Sequence, residues 1–384
     1  MNKREQELLS RQVLEILNDD QTTNKGKSQK QRKNANKKMR RRKRRKRILI
    51  ALSSVLMVLF LFVLFVMKTK TGRGWVYKAA SDFVYGNVKN EDDTNEDQID
   101  GDYHAEDTRK EDYVKNYLIF GIEKIGGAKN TDSMMIATIN TKDKSVKLTS
   151  LLRDSYVEIP GYKANKLNSA YSKGGVKLLL NTVEHNYKIH LDGYASVDFE
   201  GFEQIIDMLG GVTIELGKEE ADYLNKTNYI SKKSNRNVKP GVNVLNGNQA
   251  MGYVRVRKVK TLGGANHDYG RVVRQQRVLK AIFDQYISPN NIFKILPITK
   301  EGLSYVTTNL TQKQIEEALE AVIENKITTI ETFRVPVEGA FEAPKKYNGI
   351  GYPLVLDWDK NRLELYQFIY GDTQEEARDL LPGQ

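Results

Sequence analysis

Cysteine is absent from all 384 residues, which excludes disulfides, thiolate metal sites and cysteine nucleophiles. Histidine is scarce as well. The four present (His104, His185, His190, His267) show neither zinc-ligand spacing nor a His-Glu-x-x-His pair, and read as surface or satisfied polar contacts. There is no Walker loop and no Gly-x-Ser-x-Gly elbow, and His190 beside Asp192 has no serine at a diagnostic spacing. Internal repeats are missing too. So is a basic globular surface, despite a net charge of +12. Residues 1–47 hold 18 Lys/Arg against 5 Asp/Glu, whereas the remainder holds 43 against 44. A nucleic-acid-binding domain carries its own positive excess, so no specific nucleic-acid partner is expected.

What is present begins with that tail. It closes on Arg40-Arg41-Arg42-Lys43-Arg44-Arg45-Lys46-Arg47 and abuts Ile48–Met67, an uncharged run whose polar members are Ser53 and Ser54. Such a run makes about 30 Å of helix, enough to span a bilayer core. It is too long for a cleaved signal peptide, and no small-x-small site follows at once. The positive-inside rule places the tail in the cytoplasm and the rest outside, a single-pass type II arrangement in the cell membrane. The basic run then meets anionic membrane lipid. Residues 68–112 read as a juxtamembrane segment and a linker made acidic by Glu91-Asp92-Asp93-Thr94-Asn95-Glu96-Asp97. The folded domain is expected over 113–384, its motifs within 113–283 and an accessory part at 288–384.

Within that domain strand and helix patterns interleave. Tyr117–Gly121, Gly193–Asp198, Val212–Leu216 and Thr328–Val337 read as strands. Gly175–Tyr187, Phe199–Leu209, Asn246–Tyr253, Tyr269–Tyr286, Thr311–Asn325 and Arg362–Tyr370 read as helices, with Thr311 as an N-cap. The expected class is α/β, a mixed central β-sheet flanked by helices, preceded by one transmembrane helix and a disordered basic tail.

The chemistry concentrates in two places. Asn130–Asp154 reads as a β-hairpin whose turn spans Asn140–Lys144. Asp132 enters its first strand and Arg153 leaves its second, so antiparallel pairing brings carboxylate and guanidinium to one open end. That pairing suits a metal-bound phosphate better than a core. The second place is rich in arginine: Arg255 and Arg257 lie two apart, and Arg271, Arg274 and Gln275 share a helix. Guanidinium forks match phosphate bidentately, although one helix with such a stripe is also what a solvated face looks like.

These residues carry a family resemblance. Gly121-x-Glu123, Asn130-Thr131-Asp132-Ser133-Met134, Leu152-Arg153-Asp154, Lys166-Leu167-Asn168, Val197-Asp198-Phe199-x-Gly201-Phe202, Leu209-Gly210-Gly211-Val212, Tyr253-x-Arg255-x-Arg257 and Asp268-x-x-Arg271-x-x-Arg274-Gln275 stand in the order seen in the LytR-CpsA-Psr family, which the chain resembles. The resemblance implies an extracellular α/β phosphotransferase taking a polyprenyl-pyrophosphate-linked glycan as donor and peptidoglycan as acceptor. Asp132, with Glu123, would hold Mg2+ or another divalent cation. Arg153, Lys166, Arg255, Arg257, Arg271, Arg274 and Gln275 would bind the pyrophosphate, with Asp132, Arg153 and Glu123 as catalytic residues. The base for the attacking hydroxyl is Asp132 or Glu123. Many members have Asp where this chain has Glu123 and Arg where it has Asn130, which leaves open a member that holds lipid-linked polymer without transferring it. Leu118, Phe120, Met135 and Ile136 are candidates to line a polyprenyl tunnel or to form ordinary core.

Overall fold

The computed structural model describes residues 68–90, 104–125, 128–287 and 300–381, with scattered residues before 68. The chain divides into two compact units, residues 1–76 and 77–384. In the first, the Thr69 hydroxyl accepts from the Gly72 amide at 3.0 Å, as a helix N-cap does. The basic tail and the expected span Ile48–Met67 fall outside the described residues apart from isolated positions. Among the described residues no helix is long and apolar enough to cross a membrane.

In chain order the main elements are α1 (Lys70–Tyr85), β1 (Lys89–Asn90), β2 (Val114–Ile125), β3 (Ala128–Asn140), β4 (Ser145–Leu151), β5 (Tyr156–Val157), β6 (Asn165–Lys166) and α2 (Asn168–Tyr187). There follow β7 (Gly193–Asp198), α3 (Phe199–Met208), β8 (Val212–Leu216), α4 (Lys218–Lys226), β9 (Gly241–Leu245), α5 (Gly247–Arg255) and α6 (His267–Ile282). The last are β10 (Val306–Thr308), α7 (Gln312–Glu324), β11 (Ile330–Val335) and α8 (Trp358–Tyr370). Seven strands form one mixed sheet in the order β1-β10-β7-β2-β3-β4-β11. Strands β2, β3 and β4 pair antiparallel, while β7 joins β2, and β11 joins β4, in parallel.

Period-two alternation splits the central strands between two compartments. Leu118, Phe120, Met134 and Ile136 point to one face, where Leu179, Leu180 and Val183 of α2 and Leu365, Tyr366 and Ile369 of α8 close the main core. Ile119 and Met135 point to the other face, toward a cavity also lined from α3, α5 and α6. A second core sits under the β8–β9 ribbon, where Val212, Ile214 and Leu216 alternate with exposed Thr213 and Glu215 and pack with Ile206, Leu245 and Tyr253. In α2 the helical dihedrals fail at Gly174 and Gly175, the latter at φ 62 and ψ −157, a conformation open to glycine. The helix proper therefore starts where the periodicity places it. Thr311 caps α7, accepting from the Gln314 amide at 3.3 Å.

Two expected boundaries need correction. The compact unit starts well before Tyr113. Lys89–Asn90 adds an edge strand against β10, and the Tyr77 hydroxyl donates to Glu324 at 2.8 Å. Arg109 pairs with Asp372 and lies 3.8 Å from the Tyr370 ring centre. Such docking rests on single polar contacts, which leave no periodic trace. The C-terminal part is integral rather than accessory, since β11 completes one sheet edge and α8 closes the main core.

Candidate anion-binding site

The site starts from an irregularity in the hairpin. Gly121 pairs with Ser133 and Ile122 with Thr131, which leaves Asp132 as an extra residue on β3. A β-bulge of this kind re-aims one side chain, and Asp132 turns into the cavity wall. Met134 pairs with Leu151, so Asp132 and Arg153 each lie two residues beyond the last pair, at the same end. The Arg153 Nη1 donates to Asp132 Oδ1 at 2.7 Å. On its other side Arg153 Nε lies 3.4 Å from Asp154, which Lys166 reaches at 2.8 Å. Burial lowers the Arg153 pKa, but the charge and hydrogen bond of Asp132, with Asp154, outweigh it and hold the value above its ordinary range.

The cavity has a volume of about 350 Å3. Ile119, Met135, Phe202 and Val254 give it apolar walls, and Arg255, Arg257, Lys258 and Arg271 give it cations. Arg255, at the end of α5, donates to Glu123 at 3.1 Å and lies 5.0 Å from the Phe199 ring centre. Arg257 sits 3.7 Å from Asp132 and 3.6 Å from Asp268.

Arg271 is the exceptional member. Its side chain is 5% exposed, and Nη2 lies 3.0 Å from Asp268. Its Nε and Nη1 are buried without a hydrogen-bond partner. Burial, with the charges of Arg257 and Arg153, lowers its pKa to about 10 against the pull of Asp268, so it stays cationic near neutrality. A buried guanidinium with idle donors costs several kcal/mol unless an acceptor arrives. Unpartnered guanidinium donors at a cavity wall suit a phosphate oxygen.

The expected residues separate into three groups. Asp132, Glu123, Arg255, Arg257, Arg271 and Gln275 all line the cavity. Arg153 is not among the lining residues and reaches the site through Asp132, and Lys166 stands one ion pair further out, on Asp154. Arg274 is elsewhere altogether. It is fully buried, donating to Glu220 at 2.8 Å and to the carbonyls of Val256 and Val259 at 3.1 and 2.9 Å. Its guanidinium holds the loop after α5 and has no route to a ligand in the cavity. Of the apolar candidates, Met135 lines the cavity, Leu118 and Ile136 belong to the main core, and Phe120, also a core member, borders the cavity as well. Sequence reasoning passed over Lys258, Phe199 and Asp268 as site residues. Asp268 was visible three residues before Arg271, on the same helical stripe.

Asp132, Glu123 and Asp198 are the carboxylates on the wall; Asp198 accepts from the Gly201 amide at 2.9 Å as the cap of α3, and among the described residues no group of three His, Asp or Glu donors converges here. Mg2+ characteristically takes one or two carboxylates and completes its shell with water and substrate phosphate. The donor set fits that pattern.

Fold and site together give an α/β domain whose cavity sets an apolar compartment beside a cationic wall. Residues 79–361 match the model of the LytR_cpsA_psr family, and the chain belongs to that family. It is similar to the regulatory protein MsrR of Staphylococcus aureus, 32% identical over 281 residues, covering 70% of this chain and 81% of MsrR. It is also similar to the polyisoprenyl-teichoic acid–peptidoglycan teichoic acid transferase TagV of Bacillus subtilis, 34% identical over 199 residues, half of this chain and 49% of TagV. The TagV crystal structure superposes with a TM-score of 0.53 at 28% identity, covering 68% of this chain and 99% of that one. A third likeness, of fold, is to the family protein YwtF (TagT) with bound octaprenyl pyrophosphate lipid, at TM-score 0.50 and 24% identity over 71% of this chain and 99% of that one.

Proposed function

We propose that the protein is a membrane-anchored, divalent-metal-dependent phosphotransferase of cell wall biogenesis. It moves an anionic glycopolymer, of the teichoic acid or capsular type, from a polyprenyl pyrophosphate carrier to peptidoglycan. The observation that carries this reading is Arg271, a buried guanidinium with two idle donors on a cavity that joins a cationic wall to an apolar one. A pyrophosphate joined to a long isoprenoid is an acceptor-rich head on an apolar chain, which matches both halves of the cavity. The name of TagV and the octaprenyl pyrophosphate bound to TagT support the same class of donor. The uncharged run Ile48–Met67 supplies the anchor, with the basic tail against anionic lipid on the cytoplasmic side.

In this reading an acceptor hydroxyl attacks the phosphorus next to the glycan. The new P–O bond makes a phosphodiester, the bond to the bridging oxygen breaks, and polyprenyl phosphate leaves with the electron pair. Asp132 or Glu123 accepts the hydroxyl proton. Arg255, Arg257 and Arg271 stabilise charge growing on the phosphate oxygens without a covalent intermediate. Arg153 holds the Asp132 carboxylate in place through its 2.7 Å bond. Mg2+ on Asp132 and Glu123 would neutralise further phosphate charge.

The test incubates the full chain in detergent with a polyprenyl-pyrophosphate glycan and peptidoglycan, with mass analysis of the product. Transfer should require a divalent cation and vanish in Arg271→Ala and Arg153→Ala. Undiminished transfer in Arg271→Ala would refute the proposal. Retained lipid pyrophosphate without turnover would convert the reading to a carrier that holds lipid-linked polymer.

A further inference from the structure

Far from this cavity in sequence, His104, Glu184 and His190 converge, and no step above uses them. Among the described residues theirs is the group of three His, Asp or Glu donors placed to hold one ion, their ligand atoms all within 4.8 Å of one another. Glu184, in the last turn of α2, is fully buried. Its Oε1 accepts from the Leu191 amide at 2.7 Å and its Oε2 from the Ala105 amide at 2.8 Å. His104 Nδ1 lies 2.9 Å and His190 Nδ1 3.5 Å from Oε1, with the two rings 4.5 Å apart.

We propose that His104, Glu184 and His190 form a binding site for a borderline-soft divalent cation of the Zn2+ type, which fastens the segment entering β2 to the end of α2. Three observations carry it. The spacing is right: bonds of roughly 2.0–2.1 Å in a tetrahedron imply ligand-to-ligand edges of about 3.3 Å, and the two measured His–Glu separations bracket that value. The charge is right. A buried carboxylate is ordinarily paired with a cation, yet the described ion-pair partners of Glu184 are two imidazoles, with no lysine or arginine. The surroundings are right as well. Backbone amides at Leu191 and Ala105 orient the carboxylate as outer-shell donors do at metal sites. His104 also borders an open groove of about 640 Å3 whose walls carry Glu106, Asp107 and Glu158, with Lys188 as its cation. That groove gives an ion an acidic path inward, and water takes the fourth position.

Binding needs no redox step. Each neutral imidazole carries its proton on Nε2 and offers Nδ1, while the carboxylate keeps its amide bonds. The ligands come from both sides of β2, separated by 80 residues between His104 and Glu184. The ion therefore acts as a clip between the segment entering β2 and the end of α2.

The test strips the full chain in detergent with a chelator and titrates it with Zn2+ and, for its visible bands, Co2+. In excess Mg2+, which would occupy the cavity carboxylates, one equivalent should bind, and His104→Ala and His190→Ala should each weaken binding at least tenfold while keeping the far-ultraviolet dichroism of the parent. His185→Ala should bind as the parent does, which separates this site from the groove beside it. Zn2+ should also slow tryptic cleavage at Arg109 and Lys110 in the parent and not in His104→Ala. Absence of stoichiometric binding in the parent, or binding that survives both ligand variants, overturns the proposal.

Discussion

Replacing Arg274 with methionine separates a structural arginine from the binding ones beside it. Arg274 and Glu220 are both wholly buried and 2.8 Å apart. Glu220 spends its second oxygen on the Gly217 amide at 3.0 Å and the Leu262 amide at 3.3 Å, so its charge cannot swing out to water. Methionine keeps most of the volume but abandons that carboxylate and the carbonyls of Val256 and Val259. Removing one partner of a buried pair typically costs about 3–5 kcal/mol. At about 2.1 cal/mol/K per residue, a unit the size of residues 77–384 loses about 0.6 kcal/mol per degree near its midpoint, so the melting temperature should drop by about 5–8 °C. The assay is calorimetry or near-ultraviolet dichroism against temperature, paired with pyrophosphate binding well below the transition. Binding should fall by less than about tenfold, because the lost guanidinium does not face the cavity. The double variant Arg274→Met with Glu220→Leu should recover part of the stability, since no charge is stranded, and fall short because both amide contacts go. An unshifted melt together with lost pyrophosphate binding would sink this placement of Arg274.

Four further outcomes follow from the geometry. Arg271→Ala should weaken pyrophosphate binding about tenfold to a hundredfold, from charged hydrogen bonds worth about 1.5–3 kcal/mol each, and equal binding in calorimetric titration would contradict the reading. Gly247→Ala should cost about 3 kcal/mol or more, because its Cβ would stand 2.0 Å from the backbone oxygen of Glu203 and force α3 and α5 apart; a denaturant midpoint near the parent's would show the contact to be soft. Asn361→Ala should cost about 1–3 kcal/mol, for it strands the amide of Val337, bonded at 2.9 Å, and takes one of two donors from the carbonyls of Ala340 and Asp357, bonded at 2.6 and 2.8 Å. In alkali, burial pushes Tyr366 up to about 12 and Tyr117, Tyr187 and Tyr370 up as well, from 10.0. Above pH 10 the unfolded chain has released protons the folded chain keeps, so stability falls as pH rises. Tyrosinate absorbance should therefore show a reversible wave near 10, then a cooperative step coincident with loss of near-ultraviolet dichroism. A single reversible wave would count against that burial.

How much of this was legible beforehand depended on the geometry each inference needed. Asp132 and Arg153 could be brought together on paper because antiparallel pairing makes distance across a hairpin a matter of counting. That the aspartate faces the cavity depended on a one-residue bulge, which leaves no mark in a period-two pattern. On α6 the arginines looked equivalent. At about 100° per residue, however, Arg274 sits about 60° from Arg271 and 100° from Gln275, enough to aim it at Glu220 rather than the cavity. Alternation told that Leu118 and Met135 lie on opposite faces only once the register of β2 and β3 was known. The role of the last hundred residues was hidden for another reason. Strand β11 is short, and its partner β4 is buried on both faces, so nothing in the pattern of β4 announces which neighbour it lacks.

The lateral position of β11 bears on how the chain is made. Strand β4 emerges from the ribosome long before Ile330–Val335 exists to cover its edge, and α8 arrives later still. Until then the nascent chain displays an unpaired, seven-residue edge beside apolar surface, the state in which strands recruit strangers. Closure must wait for α8, so a premature stop between Gln275 and Trp358 yields a chain that carries Arg255, Arg257 and Arg271 while its main core stays open.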